Sequence, residues 1–389
     1  MAPSEDRSPH VVIVGTHLDQ LHRAPDTLIA GGWRDFGRPA AAVRRLGVRV
    51  AIVQAAWEDA EREVDGVPCS FVCEQGDPFV RLPGGWKFRR QPHRLLERVA
   101  ALRPDLIHFE GLLFPQSLRA LARAFPHVPI LAQDHGTKCP RGLRRRWYRW
   151  GFRPLAAVAF TARAQAEPFT RAGVLREDIP IYEVIEGSSP FTPGDQAAAR
   201  AATGLSGDPS LFWVGNLDAN KDPLTVLDAV ARASRTLPDL RLHMCFRHAP
   251  LHAAVQTTIA ADERLAERVR LIGEVAYPGI ELLFRSADFL VQASHAEGSG
   301  YGLIEALACG TTPLVTDIPS FRRITGDGAC GALVPVDDPA ALADAIVDWS
   351  RRNRAELRQR ARAHFERELS FTAIGRQLQT AYGEVARRR

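Results

Sequence analysis

The sequence predicts an α/β protein built from two domains, each around a mostly parallel sheet. Its 389 residues exceed what one ordinary hydrophobic core organises and suit two domains of nearly two hundred residues each. Short apolar runs alternate with amphipathic stretches along most of the chain, which is typical of strands joined by helices. A stretch rich in Gly, Pro and Ser at 187–195 interrupts this alternation and indicates a linker.

In the first half, near-continuous apolarity predicts strands covered on both faces of a sheet. These strands are expected at 10–15, 48–54, 106–110, 130–133, 156–161 and 181–185. Amphipathic periodicity between them predicts helices at 38–46, 94–102, 116–124, 143–150 and 164–172.

After the linker the same pattern restarts. Strands are expected at 211–215, 240–246, 269–273, 289–293, 312–316 and 332–334, with helices at 223–236, 252–266, 279–286, 301–308 and 339–351. The tail from 353 to 389 is helical by composition, with a break at Ser370, which can cap the following helix. Two such halves are expected to leave a cleft where the carboxyl ends of the strands meet a ligand.

Composition narrows the class of protein. The hydrophobic fraction of 46% and the charged fraction of 24% are ordinary for a soluble globular protein. The net charge of +5 is largely local, in the arginine-rich stretch 141–153 and the last three residues, which argues against a nucleic-acid-binding surface. The six cysteines are dispersed, the residues before His10 are polar, and no apolar run is long enough to span a membrane. We therefore expect a reduced, cytoplasmic protein.

A glycine-rich turn between a strand and a helix predicts an anion site in the second domain. The apolar strand 289–293 is followed by Gly298, Gly300 and Gly302 and then by a helix that Gly310 ends. Glycines let the backbone approach an anion closely, and the helix N-terminus adds backbone N–H groups and about half a positive charge. This geometry fits a diphosphate.

Two carboxylates, Glu297 and Glu305, lie on either side of this turn, eight positions apart. A carboxylate one turn into the helix can accept hydrogen bonds from a vicinal diol such as a ribose. The run from Glu297 to Glu305 resembles the E-x7-E motif of the retaining glycosyltransferases of family 4, which have the GT-B fold. The similarity extends through 306–310 and 312–317.

The resemblance implies a fold, a donor and roles for these residues. It implies two Rossmann-like α/β domains that face each other across a cleft, an acceptor-side domain at 1–188, a donor-side domain at 189–368, and a last helix at 369–389 that packs back on the first domain. It places Glu305 on the donor ribose and Glu297, as a catalytic residue, near the transferred sugar. The donor diphosphate is expected on the turn residues Gly298, Ser299, Gly300, Tyr301 and Gly302.

A second motif opens the second domain. Residues 212–230 read as strand, polar loop and helix, with Lys221 just before Pro223, and a lysine there can neutralise a diphosphate. The run resembles the family's V-G-R-L-x-x-x-K pattern, in which the arginine and the lysine contact the donor phosphates next to a glycine, here Gly215. Asn216 stands at the arginine position. Either a basic residue of the loop 247–248 replaces that arginine, or this loop is only a differently shaped surface loop.

Three weaker resemblances complete the expected site. Gly31 and Gly32 are similar to the family's glycine loop beside acceptor and phosphate, or form a plain turn. His135 follows a strand and matches a histidine that the family uses near the donor sugar, although a histidine in that place can be structural. The nucleobase region is expected at Ile272, Gly273 and Glu274.

The predicted function is the retaining transfer of a sugar from a UDP- or GDP-linked donor to an acceptor hydroxyl. We expect no cofactor and no metal, because no D-x-D motif stands in a convincing setting. The alternatives are a nucleotide-sugar epimerase or hydrolase on the same fold and, because of Asn216, a sugar-nucleotide-binding pseudoenzyme. The basic aromatic stretch 141–153 is either a peripheral contact with the inner membrane face or a solvated face whose aromatic residues pack inward.

Overall fold

The computed structural model describes residues 8–30, 34–74, 79–81, 87–89 and 92–388. The chain divides into two compact units, residues 1–187 with 371–389, and residues 188–370. The predicted glycine loop, Gly31 and Gly32, lies outside the described residues.

The first unit contains a mostly parallel sheet and a short hairpin. Its strands are β1 His10–Gly15, β2 Arg49–Ala56, β3 Ala60–Val64, β4 Val67–Cys73, β5 Phe79–Arg81, β6 Lys87–Arg89, β7 Leu106–Glu110, β8 Ile130–Gln133, β9 Ala157–Phe160 and β10 Ile181–Glu183. The sheet order is β10-β9-β8-β7-β1-β2-β4-β3, while β5 and β6 pair with each other. Within the eight-stranded sheet only β3 runs antiparallel to its neighbour.

The strands β3 and β4 were not predicted, although the sequence carries a signal for them. Asp65 and Gly66 connect them, with φ angles of 51° and 82°. An Asp-Gly pair favours this left-handed backbone, which matches the twist of a two-residue hairpin. The β3 side chains are mostly exposed and charged, so the strand lacks the apolar character by which the others were predicted.

Helices cover the sheet of the first unit, and their apolar faces form its core. They are α1 Pro25–Ala30, α2 Arg34–Arg45, α3 His93–Ala101, α4 Pro115–Ala124, α5 Arg144–Phe152 and α6 Arg163–Arg171. All except the short α1 correspond to a predicted helix and begin and end within four residues of its predicted bounds. The buried cluster combines strand residues such as Val12 and Phe109 with helix residues such as Leu118 and Phe169.

The second unit has a six-stranded parallel sheet. Its strands are β11 Ser210–Val214, β12 Arg241–Cys245, β13 Val269–Gly273, β14 Phe289–Gln292, β15 Thr312–Thr316 and β16 Ala332–Val334. The order is β13-β12-β11-β14-β15-β16, the strand order of a Rossmann fold. The chain reverses its direction of winding between β11 and β14. Ligands of such sheets bind outside the carboxyl ends of the strands at this switch point.

The helices of the second unit are α7 Gln196–Thr203, α8 Pro223–Ala233, α9 His252–Ala260, α10 Glu263–Arg268, α11 Tyr277–Ser286, α12 Tyr301–Cys309, α13 Pro319–Thr325, α14 Pro339–Ser350 and α15 Arg354–His364, with a π-helical turn at Phe365–Leu369. The single helix expected at 252–266 was wrong, because Asp262 starts a new helix and accepts a hydrogen bond from Arg264 N. Helices α7 and α13 were not predicted from the sequence.

The last helix, α16 Phe371–Arg387, belongs to the first unit and packs against α2. A Cβ atom at Gly375 would lie 3.0 Å from Ala42, so the glycine permits the close approach of the two helices. Gln379 Nε2 also donates to Leu46 O over 2.9 Å. In the described part of the chain, no helix has the length and apolarity needed to cross a membrane.

Candidate functional site

Two loops converge at the switch point of the second unit. One follows β11 and contains Lys221, and the other follows β14 and contains Glu297. Because β11 and β14 are parallel neighbours, both loops leave the same edge of the sheet. Two hydrogen bonds join them, from His295 N to Asn220 O at 2.8 Å and from Asn220 Nδ2 to Ala296 O at 3.0 Å. The predicted diphosphate residues of both motifs therefore lie on loops that are tied together.

Lys221 and Glu297 form an ion pair across these loops. Only 22% of the lysine side chain and 12% of the glutamate side chain are exposed. Lys221 N donates to Asp218 Oδ1 over 2.9 Å, which fixes the backbone under the side chain. The methylene stem of Lys221 passes Gly215, where an added Cβ would lie 3.4 Å from it. The ammonium group is thus held in a partly desolvated position, where an anionic ligand would meet a positive charge.

The turn at Gly300 leads directly into the N-terminus of α12, which is the positive end of that helix. Gly300 has φ 60° and ψ 53°, the left-handed conformation that favours glycine, and its carbonyl accepts from Leu303 N at 2.9 Å. The first N–H groups of a helix have no acceptor within it, so they and the dipole favour an anion at this end. Ser299 is buried and Tyr301 is 40% exposed.

The body of α12 lies close to β11. A Cβ at Gly302 would lie 3.0 Å from Val214 Cγ1, so only a glycine allows this spacing without a shift of its neighbours. Gln292 Nε2 donates to Val214 O over 3.0 Å and ties β14 to β11 below the turn. Glu305 lies in the second turn of α12 and is half-buried.

Replacement of Gly300 by alanine is expected to lower the free energy of unfolding by about 1–2 kcal/mol and to displace the turn. The new Cβ would lie 2.7 Å from Phe321 Cε1, and alanine disfavours φ 60°. Urea denaturation of Gly300→Ala and of a control variant, Gly383→Ala, would measure the free energy of unfolding of each. Gly383 lies in α16 with no atom within 4 Å of an added Cβ, so alanine should not destabilise there. Equal midpoints for the two variants would contradict the requirement for glycine at 300.

The other predicted residues of the second unit occupy neighbouring loops. Asn216 follows β11 and is exposed. The loop after β12, which contains Arg247, lies beside Leu217, whose N–H donates to His248 O over 2.9 Å. At the end of β13, Ile272 and Gly273 are half-buried and Glu274 is exposed. All of these loops leave the carboxyl edge of the sheet, because its strands are parallel.

A group of possible metal ligands adjoins the same loops. Asp222, His295 and Asp337 each offer one ligand atom, and these atoms lie within 4.8 Å of one another. His295 Nε2 is 3.4 Å from a carboxylate oxygen of each aspartate. These distances fit a metal site and fit equally well a histidine that is hydrogen-bonded to two carboxylates without a metal.

His135 occupies a different cluster, in the first unit. Its Nε2 lies 2.5 Å from Glu110 Oε2, and its Nδ1 contacts Glu186. Burial acts to lower the pKa of His135, but the hydrogen bonds and charges of the two glutamates outweigh it and raise the pKa to about 11. His135 is therefore an imidazolium at neutral pH, with both ring nitrogens engaged. In this state it is a positively charged donor and not a general base.

A buried chain of polar groups continues behind His135. Burial acts to raise the pKa of Glu110, but His108 and His135 overcome this and leave it below its ordinary value. His108 Nε2 lies 3.7 Å from Glu110 Oε1, and its Nδ1 lies 2.6 Å from the hydroxyl of Tyr382 on α16. Burial lowers the pKa of His108, which favours its neutral form.

Glu110 and Glu186 were not predicted as site residues from the sequence. Glu110 is the last residue of β7, next to β8 in the sheet, so its place at the carboxyl edge beside His135 was available from the strand order. Glu186 follows β10 at the end of the first unit, and its contact depends on the path of a loop that periodicity does not specify.

The fold defines a second unit of the Rossmann type that follows a first unit built on a mostly parallel sheet. The sequence model described as "Glycosyl transferases group 1" matches residues 195–364, and that described as "Glycosyl transferase 4-like domain" matches residues 30–181. The chain belongs to the group 1 glycosyltransferases, with the GT-B fold.

Individual glycosyltransferases are also similar to this chain in sequence or in structure. A D-inositol 3-phosphate glycosyltransferase of Mycolicibacterium gilvum is 34% identical over 164 residues, which are 40% of this chain but only 35% of that protein. A glycosyltransferase structure from Rickettsia africae covers 98% of this chain and 100% of its own, with a TM-score of 0.72 and 14% identity. The Anabaena protein HepE in complex with UDP covers 96% of this chain and 100% of its own, with a TM-score of 0.67 and 17% identity.

Proposed function

We propose that this protein transfers a sugar from a nucleoside diphosphate sugar to an acceptor hydroxyl, with retention of configuration and without a metal ion. The observation that carries the proposal is the contact of Lys221 with Glu297 at the switch point of a Rossmann sheet. Glu297 lies just before the Gly300 turn and the positive end of α12. A pyrophosphate is the ligand class that suits a lysine and a helix N-terminus together.

In the proposed reaction the acceptor oxygen attacks the anomeric carbon from the side of the departing nucleotide. The bond between that carbon and the phosphate oxygen breaks, and the leaving phosphate takes the acceptor's proton. Negative charge develops on the diphosphate, where Lys221 and the N-terminus of α12 stabilise it. The donor diphosphate displaces Glu297 from Lys221, which frees that carboxylate for hydroxyls of the transferred sugar.

The remaining roles follow the family resemblance. Glu305 accepts hydrogen bonds from the ribose hydroxyls, and the end of β13 at 272–274 holds a uracil or guanine base. His135 contributes its positive charge toward the transferred sugar, while its two N–H groups stay on Glu110 and Glu186. Glu110 and Glu186 act as positioning residues, because they fix the ring of His135 and its charge.

A thermal-shift screen with UDP-, GDP-, ADP- and TDP-sugars tests the donor. One nucleotide class is expected to raise the melting temperature, because a ligand selective for the folded state stabilises it. Incubation with that sugar nucleotide alone should leave it unchanged, whereas added acceptors should release the nucleoside diphosphate. EDTA should not reduce the rate, and Asp337→Asn should not change the response to EDTA.

Other outcomes would replace the proposal. Epimerised or hydrolysed donor in the absence of acceptor would indicate an epimerase or a hydrolase. Loss of transfer with EDTA that returns with a divalent ion would contradict metal independence. No stabilisation by any sugar nucleotide would contradict the donor site itself.

A further inference from the structure

A cavity of about 990 Å³ opens beside His135, entirely within the first unit. Its volume is at the upper end of the range for small-molecule sites. The segment that follows β8 and the start of α5 supply most of its wall. Leu113, Pro168 and Ala172 complete the wall.

Positive charge dominates this wall. Lys138, Arg141, Arg144 and Arg145 all line the cavity, and none of the described residues that line it is an Asp or a Glu. Among the residues that the structure describes, no carboxylate lies within 4.0 Å of any of these four basic groups. A concave surface with four cations and no carboxylate beside them among the described residues attracts an anionic ligand.

Hydrogen bonds fix the conformation of the cavity wall, and part of the wall is apolar. Asp134 is buried and accepts from Gly136 N at 3.0 Å and Thr137 N at 2.9 Å, which fixes the turn that leads from His135 into the basic segment. Arg144 lies over the ring of Tyr148, 5.9 Å from its centroid. Leu113 is 54% exposed at the cavity. Such a surface can hold a carbon skeleton while the cations hold a charged substituent.

We propose that this cavity binds the acceptor and that the acceptor carries a phosphate group, held by Lys138, Arg141, Arg144 and Arg145. The proposal rests on the transfer function proposed above, since it names the acceptor class for that reaction. Arginine forks match the geometry of phosphate oxygens, and several cations are needed to offset a dianion. A hydroxyl elsewhere on the bound molecule would then lie near His135.

A phosphate can belong to a soluble sugar phosphate or to a lipid headgroup. The outer surface of α5 leaves both sources open. Tyr148 and Phe152 are buried in the core, whereas Leu143 is 84% exposed and Trp150 is 40% exposed. Arg119 and Arg123 lie over the Trp150 ring at 5.6 and 5.8 Å.

The test compares two variants that each remove two positive charges. Arg141→Gln/Arg144→Gln changes the cavity wall, and Arg146→Gln/Arg153→Gln changes exposed arginines of the same stretch that do not line it. The probes are glucose 6-phosphate, glucose, and vesicles of phosphatidylcholine with or without phosphatidylglycerol. Binding is measured by thermal shift for the sugars and by co-sedimentation for the vesicles. UDP binding to each variant is measured in parallel.

Glucose 6-phosphate is expected to bind at least about tenfold more tightly than glucose, and the cavity variant alone is expected to lose this preference. Binding of anionic vesicles that only the cavity variant loses would support a lipid-borne phosphate instead. Absence of both interactions, or equal losses in the two variants, would overturn the proposal. UDP should stabilise all three proteins equally, so failure of the donor site is seen separately from failure of this cavity.

Discussion

Replacement of Lys221 by alanine is expected to lower kcat/KM for sugar transfer by at least about 100-fold. Lys221 forms an ion pair with Glu297 at the switch point, and Asn216 supplies no charge where the family pattern has an arginine. The effect should fall mainly on kcat, because the charge on the leaving diphosphate grows toward the transition state. Initial rates at varied donor concentration would measure it.

The control for Lys221 is Arg232→Ala, on the helix that begins just after the lysine. Arg232 pairs with Asp228 at 3.0 Å, and the two side chains are 50% and 46% exposed. An exposed pair of this kind contributes little to stability, so transfer should stay within about twofold of the original. If Lys221→Ala reduced transfer no more than Arg232→Ala, the assignment of the lysine to the diphosphate would be wrong.

Replacement of His135 by alanine is expected to lower the free energy of unfolding at pH 7 by about 3 kcal/mol. The substitution leaves the carboxylates of Glu110 and Glu186, whose side chains are 15% and 10% exposed, facing each other without the cation between them. The expected loss is at the low end for a broken buried ion pair, since His135 itself is 37% exposed. Urea denaturation followed by circular dichroism would measure the difference.

The stabilisation that His135 provides is expected to decrease as the pH rises. The pKa of His135 rises from 6.5 to about 11 in the folded protein, so its contribution is complete below about pH 6.5 and is lost as the pH rises toward 11. The stability gap between the original protein and His135→Ala should therefore narrow from pH 7 to pH 9. The control His135→Gln/Glu110→Gln/Glu186→Gln, which removes all three charges, should be more stable than His135→Ala. A gap that stays constant with pH would contradict the charged cluster.

Periodicity and glycine placement predicted much of the fold. The second sheet is an example, because most of its strands are short apolar runs that are largely buried, and all six were located within two residues. The first sheet was predicted less completely. The exposed strand β3 carries alternating charges, and its only local signal is the Asp65-Gly66 turn.

The candidate sites differ in how far sequence could predict them. The α12 turn is local, so three glycines and the following apolar helix were enough to predict an anion site. The ion pair of Lys221 and Glu297 joins residues 76 positions apart, and only the order of β11 and β14 in the sheet brings them together. The cluster of His135 joins the last residue of β7 to the segments that follow β8 and β10. No spacing in the sequence encodes that arrangement, although it decides the charge of the histidine.

A crystal structure with a bound, slowly transferred sugar nucleotide tests the central claim most directly. We expect pyrophosphate oxygens about 3 Å from the backbone N–H groups at 299–301 and from Lys221 Nζ, with the ribose hydroxyls on Glu305. A nucleotide bound elsewhere, with this turn empty and Lys221 still paired with Glu297, would contradict it.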